Sequence, residues 1–305
     1  IILSTFLPAF LKAELGNDGW YYLFGNFRLG GTQSGRLASS DPNLQNIPQG
    51  SRLAKPLRDC FVARKDCTLI SLDYSQLELR VVAALSQDPE MLKAFKEGQD
   101  IHSTTASIVL DKKPEDITHE ERRVAKTLNF GLVYGMGVRA FSKASGLSTK
   151  EAKVFIERYF ERFAAVKAWQ EEILANARKS GYTKTLTGRK RYFPLLQSGG
   201  APWIVAESER AAINHPVQGL DADITKIATI NIKDLLIKEK VWGTDARILL
   251  TIHDELLLEV RTSRIEALLP LLIKTMEAAL PELGVPLVID AKTGTRWGSL
   301  EPYSV

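Results

Sequence analysis

RILLTIHDELLLEV, residues 247–260, constrains this chain's fold more than any other stretch. Apolar residues run through ILLT and resume in LLLEV, which is the composition of two buried strands. Only His253, Asp254 and Glu255 stand between them, so the connection is a tight turn and the strands form a hairpin. Two carboxylates therefore sit at the tip of a hairpin whose arms are expected to be core, and a desolvated carboxylate is costly without a compensating cation.

LISLDYSQLELR (69–80) supplies a partner. FVARKDCTLISLD is expected to give two strands, the second ending at Asp73, and SQLELRVVAALSQ a helix with Leu77, Val81 and Leu85 on one face. If both strand systems share one sheet, Asp73 and Asp254 meet at one edge. Paired carboxylates on strand ends suit a hard cation such as Mg²⁺, which takes oxygen ligands and keeps sites for water and phosphate. A lone Asp at a strand end is more often a plain cap, and that alternative stands at this point.

The chain has 305 residues, 45% hydrophobic and 25% charged, enough for a large core and more than one domain. No apolar run approaches the roughly 18 residues of a membrane span, so a soluble chain is expected. Cys60 and Cys67 are too few for a zinc site or a disulfide framework and are expected to be free thiols. A net charge of +4 allows a polyanionic partner without demanding one. IILSTFLPAFLKAELG opens without Met and with an apolar helical face already running to a stop at Gly16, which suggests a piece of a longer protein. WYYLFGNFRLGG suggests a small twisted hairpin within residues 20–37, and SDPNLQNIPQG from Ser40 is loop chemistry. From Asp88 to about Phe163 the pattern is almost wholly helical, with Asp88-Pro89 as cap and first helical position, and Thr118/Glu121 and Ser148/Glu151 as capping boxes. Strands return at 245–260 and near 287–297. The fold class is α+β: a sheet assembled from distant segments, with a helical insertion around 88–180.

THEERRVAKTLNFGLVYGMG (118–137) carries a second constellation. Arg122, Lys126 and Phe130 lie at i, i+4 and i+8 on one helical face, with Tyr134 a turn further. Two cations followed by a ring suit a ligand with a charged and a flat end, such as a nucleoside triphosphate. By spacing alone a solvated basic stripe beside a core Phe explains the pattern better. Gly131, Gly135 and Gly137 tilt the balance, because glycine in a helix is unfavourable unless something approaches closely.

DYSQLELR, RRVAKTLNFGLVYG and HDE, in this order, resemble the three polymerase motifs of family A DNA polymerases, the bacterial DNA polymerase I group and its phage relatives. SGRLASSDPNLQNIP (34–48), DIHSTTA (100–106), EAKVFIERYFERFAAVKAW (151–169), TGRKRYFP (187–194) and ERAAINHPVQG (209–219) agree. The resemblance runs from about residue 30 to the end; LLQSGGAPW (195–203) departs from it and carries no inference. It implies a right-hand polymerase with an antiparallel palm sheet and a helical fingers subdomain. Residues 1–30 would be the end of the thumb and lead-in, 31–87 and 181–305 the palm, and 88–180 the fingers, with most of the thumb outside the chain.

Residue by residue, the resemblance implies that Asp73, Asp254 and the Tyr74 carbonyl bind two Mg²⁺ ions, and that Lys126 shares in catalysis. Arg122, Lys126 and His102 would hold the incoming dNTP, with Phe130 on its sugar, Tyr134 near the templating base and Glu78 under the 2′ position. Arg36, Arg210, Asn214 and Gln218 would contact primer-template DNA, as would Asn43, Gln45 and Asn46, with His253 by the primer terminus. Glu255 would stand beside the metal ligands rather than among them. The implied protein is a cytoplasmic monomer of a bacterial or phage-infected cell, with primer-template DNA and dNTPs as partners. Two rivals remain: a two-metal nuclease, which needs no triphosphate-gripping helix, and a non-catalytic scaffold for primer-template, which needs no intact aspartates.

Overall fold

A computed structural model describes residues 2–48, 54–133 and 135–303, with backbone alone for 2, 3, 132 and 133. The chain divides into two compact units: residues 1–75, 222–280 and 287–305, and residues 76–221 with 281–286.

The first unit is built on a five-stranded antiparallel sheet. Its strands are β1 (Cys67–Tyr74), β2 (Ala246–Ile252), β3 (Glu255–Arg261), β4 (Ile289–Gly294) and β5 (Glu301–Pro302), in the order β5-β4-β1-β3-β2. Alternation along β1 separates two faces. Ile70, Leu72 and Tyr74 turn one way, where the Tyr74 hydroxyl donates to the Met276 carbonyl at 2.8 Å on the helix Ile265–Glu277. Leu69 turns the other way into a core with Leu57, Leu257, Ile252 and Trp297. Ser71 and Asp73 share Leu69's face but lie further along it, toward the β2–β3 turn. Leu256, Leu257 and Leu258 are at most 2% exposed, each stabilising the hairpin by roughly 2 kcal/mol.

The hairpin forms as its pattern predicts, closed by His253 and Asp254, with His253 in the left-handed region at φ 55°. Only one arm is core, however. β3 is buried over six of its seven residues, whereas β2 is the sheet edge and is largely half-exposed. One strand, not two, precedes Asp73: Val62 makes only an isolated bridge to Arg296, because the chain turns at Asp66 (φ 59°) before β1 begins. The opening helix ends at Leu11 rather than Gly16, since Glu14–Leu15 pairs with Tyr21–Tyr22. Gly16 belongs to that turn, its N–H donating to the Trp20 carbonyl at 2.8 Å. Residues 20–37 contribute to two small ladders instead of one hairpin, the second joining Asn26–Arg28 to Ala38–Ser40. Within SDPNLQNIPQG a short 3₁₀ turn, Leu44–Asn46, forms under an Asn43 cap, while Gln49 and Gly50 lie outside the described residues.

The second unit is helical: α1 (Leu77–Ser86), α2 (Pro89–Lys96), α3 (Ile101–Leu110), α4 (His119–Val133), α5 (Val138–Ser145), α6 (Thr149–Arg162), α7 (Ala164–Ser180) and the first part of α8 (Pro202–Lys238). The local signals hold. Asp88 accepts from Glu90 N and Met91 N at 3.2 Å, with Pro89 first in α2. Both capping boxes close: Glu121 N reaches Thr118 Oγ1 at 3.2 Å and Thr118 N reaches Glu121 Oε2 at 2.9 Å, and Ser148/Glu151 do the same at 3.3 and 2.9 Å. α1 is less amphipathic than expected, for nine of its ten residues are buried, Glu78 and Arg80 included. The Arg80 guanidinium is accommodated by donating to the Pro286 carbonyl at 2.6 Å and lying 4.6 Å over the Phe95 ring. Both cysteines are free, and among the described residues no helix is long and apolar enough to cross a membrane.

Candidate active site

Register places a row of carboxylates across the sheet. Asp73 on β1 stands directly opposite Glu255 on β3 and Asp290 on β4, and directly opposed residues project from one face. Asp254 adjoins the row from the β2–β3 turn, whose backbone is tied to the end of β1 by Tyr74 N donating to Asp254 O at 3.3 Å. The two aspartates picked out from the sequence are therefore neighbours at one sheet edge. Asp290 was not picked out: in VPLVIDAKTG nothing distinguishes it from an outward strand residue, and only the pairing of β4 with β1 reveals it.

This crowding sets the electrostatics. Burial pushes the Asp73 carboxyl up to about 7, and repulsion from Asp254, Glu255 and Asp290 adds to it, with Lys292 opposing. Asp254 is raised, chiefly by burial, with Arg36 and His253 drawing it back. Glu255, 9% exposed, accepts from Ser71 Oγ at 2.6 Å, which holds it beside Asp73. Desolvation of the His253 ring, reinforced by Arg36, lowers that residue's pKa, against Asp254. A cleft of about 500 Å³ opens beside the row, lined among others by Ser71, Asp73, Glu255, Lys292, Arg58 and Lys55. Tyr74 turns its ring into the core, so its side chain takes no part in the carboxylate row.

A cation fits here, because Asp73, whose pKa the surrounding carboxylates raise, gains from positive charge beside it. Among the described residues no group of three or more His, Cys, Asp or Glu side chains is placed to hold one metal ion between them. An ion held here takes its remaining ligands from water and substrate, as Mg²⁺ characteristically does.

On the same unit Arg36, Gln45 and His253 line one recess with Lys226 and Thr251. Gln45 Nε2 donates to Thr251 O at 3.0 Å, and Lys226 Nζ donates to Gly35 O, tethering the Arg36 loop to α8. Asn43 spends its side-chain oxygen on Gln45 N at 3.0 Å, while Asn46 is exposed.

The helical unit carries the other candidates. On α4, Arg122 and Phe130 are half-buried and Lys126 is exposed, whereas Val124, Ala125, Leu128 and Asn129 on the opposite side are buried. α3 adds His102, whose ring lies 5.6 Å from that of Phe130. Asp100 links the two helices: one oxygen caps α3 by accepting from His102 N at 2.9 Å and Ser103 N at 3.3 Å, and the other accepts from Arg122 Nε at 2.6 Å. Its role as cap is legible in the Asp100-Ile101-His102 spacing; its grip on Arg122 is not. Glu78, 8% exposed, sits in the first turn of α1. Arg210, Asn214 and Gln218 recur every four residues along α8, on one face. Tyr134 lies outside the described residues.

The glycines have another cause than a ligand. A Cβ on Gly131 would come within 2.8 Å of Met136 Sδ; one on Gly135, whose φ is 64°, would come within 2.7 Å of the Arg210 side chain; one on Gly137 would meet open space. The chain's own side chains make the close approaches. The sequence argument from glycine thus loses its force, and the stripe rests on Arg122, Lys126, Phe130 and His102 themselves.

The pattern of DNA polymerase family A matches residues 3–299. DNA polymerase I of Streptococcus pneumoniae is 44% identical over 268 residues, covering 87% of this chain and 30% of that protein. The thermostable DNA polymerase I of Thermus thermophilus is 44% identical over 291 residues, 95% of this chain and 34% of that one. Among solved structures, the POL domain of Pol1 from M. smegmatis, in complex with DNA primer-template and dNTP, superposes with a TM-score of 0.89 at 37% identity, over 97% of this chain and 51% of that one. The chain spans about a third of the length of these curated relatives.

Proposed function

Because this chain belongs to DNA polymerase family A, we propose that it adds dNTPs to a primer 3′-hydroxyl under direction of a template, releasing pyrophosphate. The observation that carries the reading is the carboxylate row Asp290–Asp73–Glu255 with Asp254 at the adjoining turn; the raised pKa values of Asp73 and Asp254 mark a place where the fold favours bound cations. Bound Mg²⁺, two ions in all, supplies the chemistry by lowering the pKa of the primer hydroxyl and neutralising the leaving pyrophosphate.

The chain's own residues do the rest. Asp73, Asp254 and the Tyr74 carbonyl hold the ions, and the Ser71–Glu255 hydrogen bond keeps a further carboxylate beside them. Arg122 and Lys126 bind the triphosphate as cations and His102 as a hydrogen-bond donor, Lys126 also meeting charge that develops on the leaving group. Phe130 packs on the sugar, Tyr134 stands near the templating base, and Glu78 excludes a 2′-hydroxyl. Arg36, Arg210, Asn214 and Gln218, with Asn43, Gln45 and Asn46, bind primer-template, and His253 borders the primer end. By role, the palm comprises 31–87 and 181–305, the fingers 88–180, and 1–30 the lead-in from the thumb. That division differs from compactness, since residues 76–87 and 181–221 pack within the helical unit. The working form is a cytoplasmic monomer.

Extension of a labelled primer with dNTPs, in Mg²⁺ and in EDTA, tests the reading. Lengthened product only with Mg²⁺ supports it. Shortened product identifies the nuclease instead, and unchanged product with retained DNA binding identifies a scaffold. Asp254→Asn abolishes extension while primer-template affinity, which rests on many phosphate contacts, stays within about threefold.

A further inference from the structure

We propose that Asn129 is a positioning residue that holds His102 in the tautomer protonated at Nε2, so that α3 presents a neutral N–H donor to the triphosphate beside Arg122 and Lys126. The inference rests on the polymerase reading for its ligand and on a buried hydrogen-bond chain for its chemistry.

The chain begins at a group whose role cannot change. The Ile101 carbonyl only accepts; Thr105 Oγ1 lies 2.7 Å from it and 3.3 Å from Asn129 Oδ1, and gives its single proton to the nearer acceptor. That hydroxyl has nothing left to give, and its contact with Asn129 Nδ2 at 3.0 Å is donated by the amide. The second amide hydrogen points to His102 Nδ1 at 3.1 Å. Nδ1 therefore accepts, and the one proton of a neutral imidazole resides on Nε2. Reversing the Asn129 amide would leave its oxygen facing Thr105 Oγ1 without a proton unless the hydroxyl gave up its 2.7 Å bond to Ile101. The shorter bond, to the Ile101 carbonyl, thus sets the direction of the bonds that follow. The three residues are almost wholly buried, His102 at 2% exposed and Thr105 and Asn129 at 1% each.

The charged groups facing His102 are Asp100, Arg122 and Lys126. Burial lowers its pKa to about 4, with Arg122 and Lys126 acting in the same direction and Asp100 against them. Asp100 is already engaged by Arg122 at 2.6 Å, so the ring stays neutral at physiological pH. Nε2 has no hydrogen-bond partner among the described residues. Which tautomer is present then decides the sign of the contact with a phosphate oxygen: N–H attracts it, whereas a bare lone pair repels it. Asn129, on the buried side of α4, is not among the residues singled out from the sequence.

Nitrogen-15 NMR of the histidine side chains in the nucleotide-free chain is a direct test, and with four histidines each ring is assignable by substitution. The expected His102 signature at pH 7 is a protonated Nε2 and an unprotonated Nδ1, unchanged until the pH falls below about 5. Protonated Nδ1 overturns the proposal whether or not the protein extends primers, so its failure is separable from that of the polymerase reading. Kinetics give the second arm. Asn129→Leu removes both donors, and the KM for dNTP should rise on the order of tenfold with kcat little changed. Asn129→Asp offers Nδ1 an acceptor instead, so the His102 resonance should titrate near neutrality and KM should become pH-dependent between pH 6 and 8. A correct tautomer with KM unaltered in Asn129→Leu overturns the assigned role. Should Asn129→Leu fail to fold, the wild-type spectrum and Asn129→Asp still decide.

Discussion

Asp73→Asn is expected to stabilise the metal-free protein while abolishing primer extension. Burial and the carboxylates around it push the Asp73 carboxyl from 3.8 up to about 7. Between those values the folded chain binds more protons than the unfolded one, so stability falls as pH rises through that window. Below the unfolded value the group is protonated in both states and costs nothing; above the folded value the whole penalty is present. A shift of that size corresponds to about 4 kcal/mol at pH 8. Asp73 keeps some contact with solvent, which screens the penalty, so the gain for Asn at pH 8 is roughly 1–3 kcal/mol. Asn matches the shape and is neutral at every pH, so the gain should shrink below about 0.5 kcal/mol at pH 4. Urea denaturation in EDTA at both pH values measures it, provided the slopes of wild type and variant agree. Millimolar Mg²⁺ should then raise the wild-type midpoint more than the variant's, because the ion binds the folded carboxylates. A variant no more stable than wild type at pH 8, or one whose advantage is the same at pH 4, refutes the electrostatic account of the row.

Glu259, 4% exposed, accepts from both Arg64 N and Arg64 Nε at 2.8 Å; Glu259→Ala should destabilise by about 2–4 kcal/mol in urea unfolding, and a loss under about 0.5 kcal/mol would make the pair dispensable. Glu78→Ala should relax discrimination against ribonucleotides, since a carboxylate beneath C2′ works by exclusion; an unchanged rNTP-to-dNTP ratio in competition assays would leave Glu78 a structural residue of α1. Phe130→Tyr should raise the ddNTP-to-dNTP incorporation ratio, by up to roughly 10⁴-fold, because a phenol hydroxyl replaces the missing 3′-OH as a partner for the phosphates. If Tyr instead slows every nucleotide equally, Phe130 is a packing residue only.

Much of the fold was legible because its signals are local. Asp88-Pro89, Thr118/Glu121 and Ser148/Glu151 satisfy backbone N–H groups within one turn, so those helix starts need no distant partner. The β2–β3 hairpin was equally plain, since so short a connection as His253–Glu255 joins adjacent strands only by a tight turn. Where distant partners decide, the reading failed. Phe61–Arg64 has the composition of a strand yet makes only a bridge, and Gly16 turns a hairpin rather than ending a helix.

For the candidate site the division is similar. Which residue types stand at Asp73, Asp254, Arg122, Lys126 and Phe130, and the helical spacing of the last three, are properties of the sequence alone. That Asp290 and Glu255 flank Asp73, that Asp100 grips Arg122, and that Asn129 orients His102 were decided only by tertiary structure. Gly131 and Gly135 teach the same lesson in reverse, for what approaches them is Met136 and Arg210 rather than a ligand. The physical reason is range. Capping and periodicity act over three or four residues along the chain, whereas a pKa near neutrality or a fixed tautomer arises from charges and donors within a few ångströms in space, brought there by strand register and helix packing from more than two hundred residues away in the case of Asp290 and Asp73.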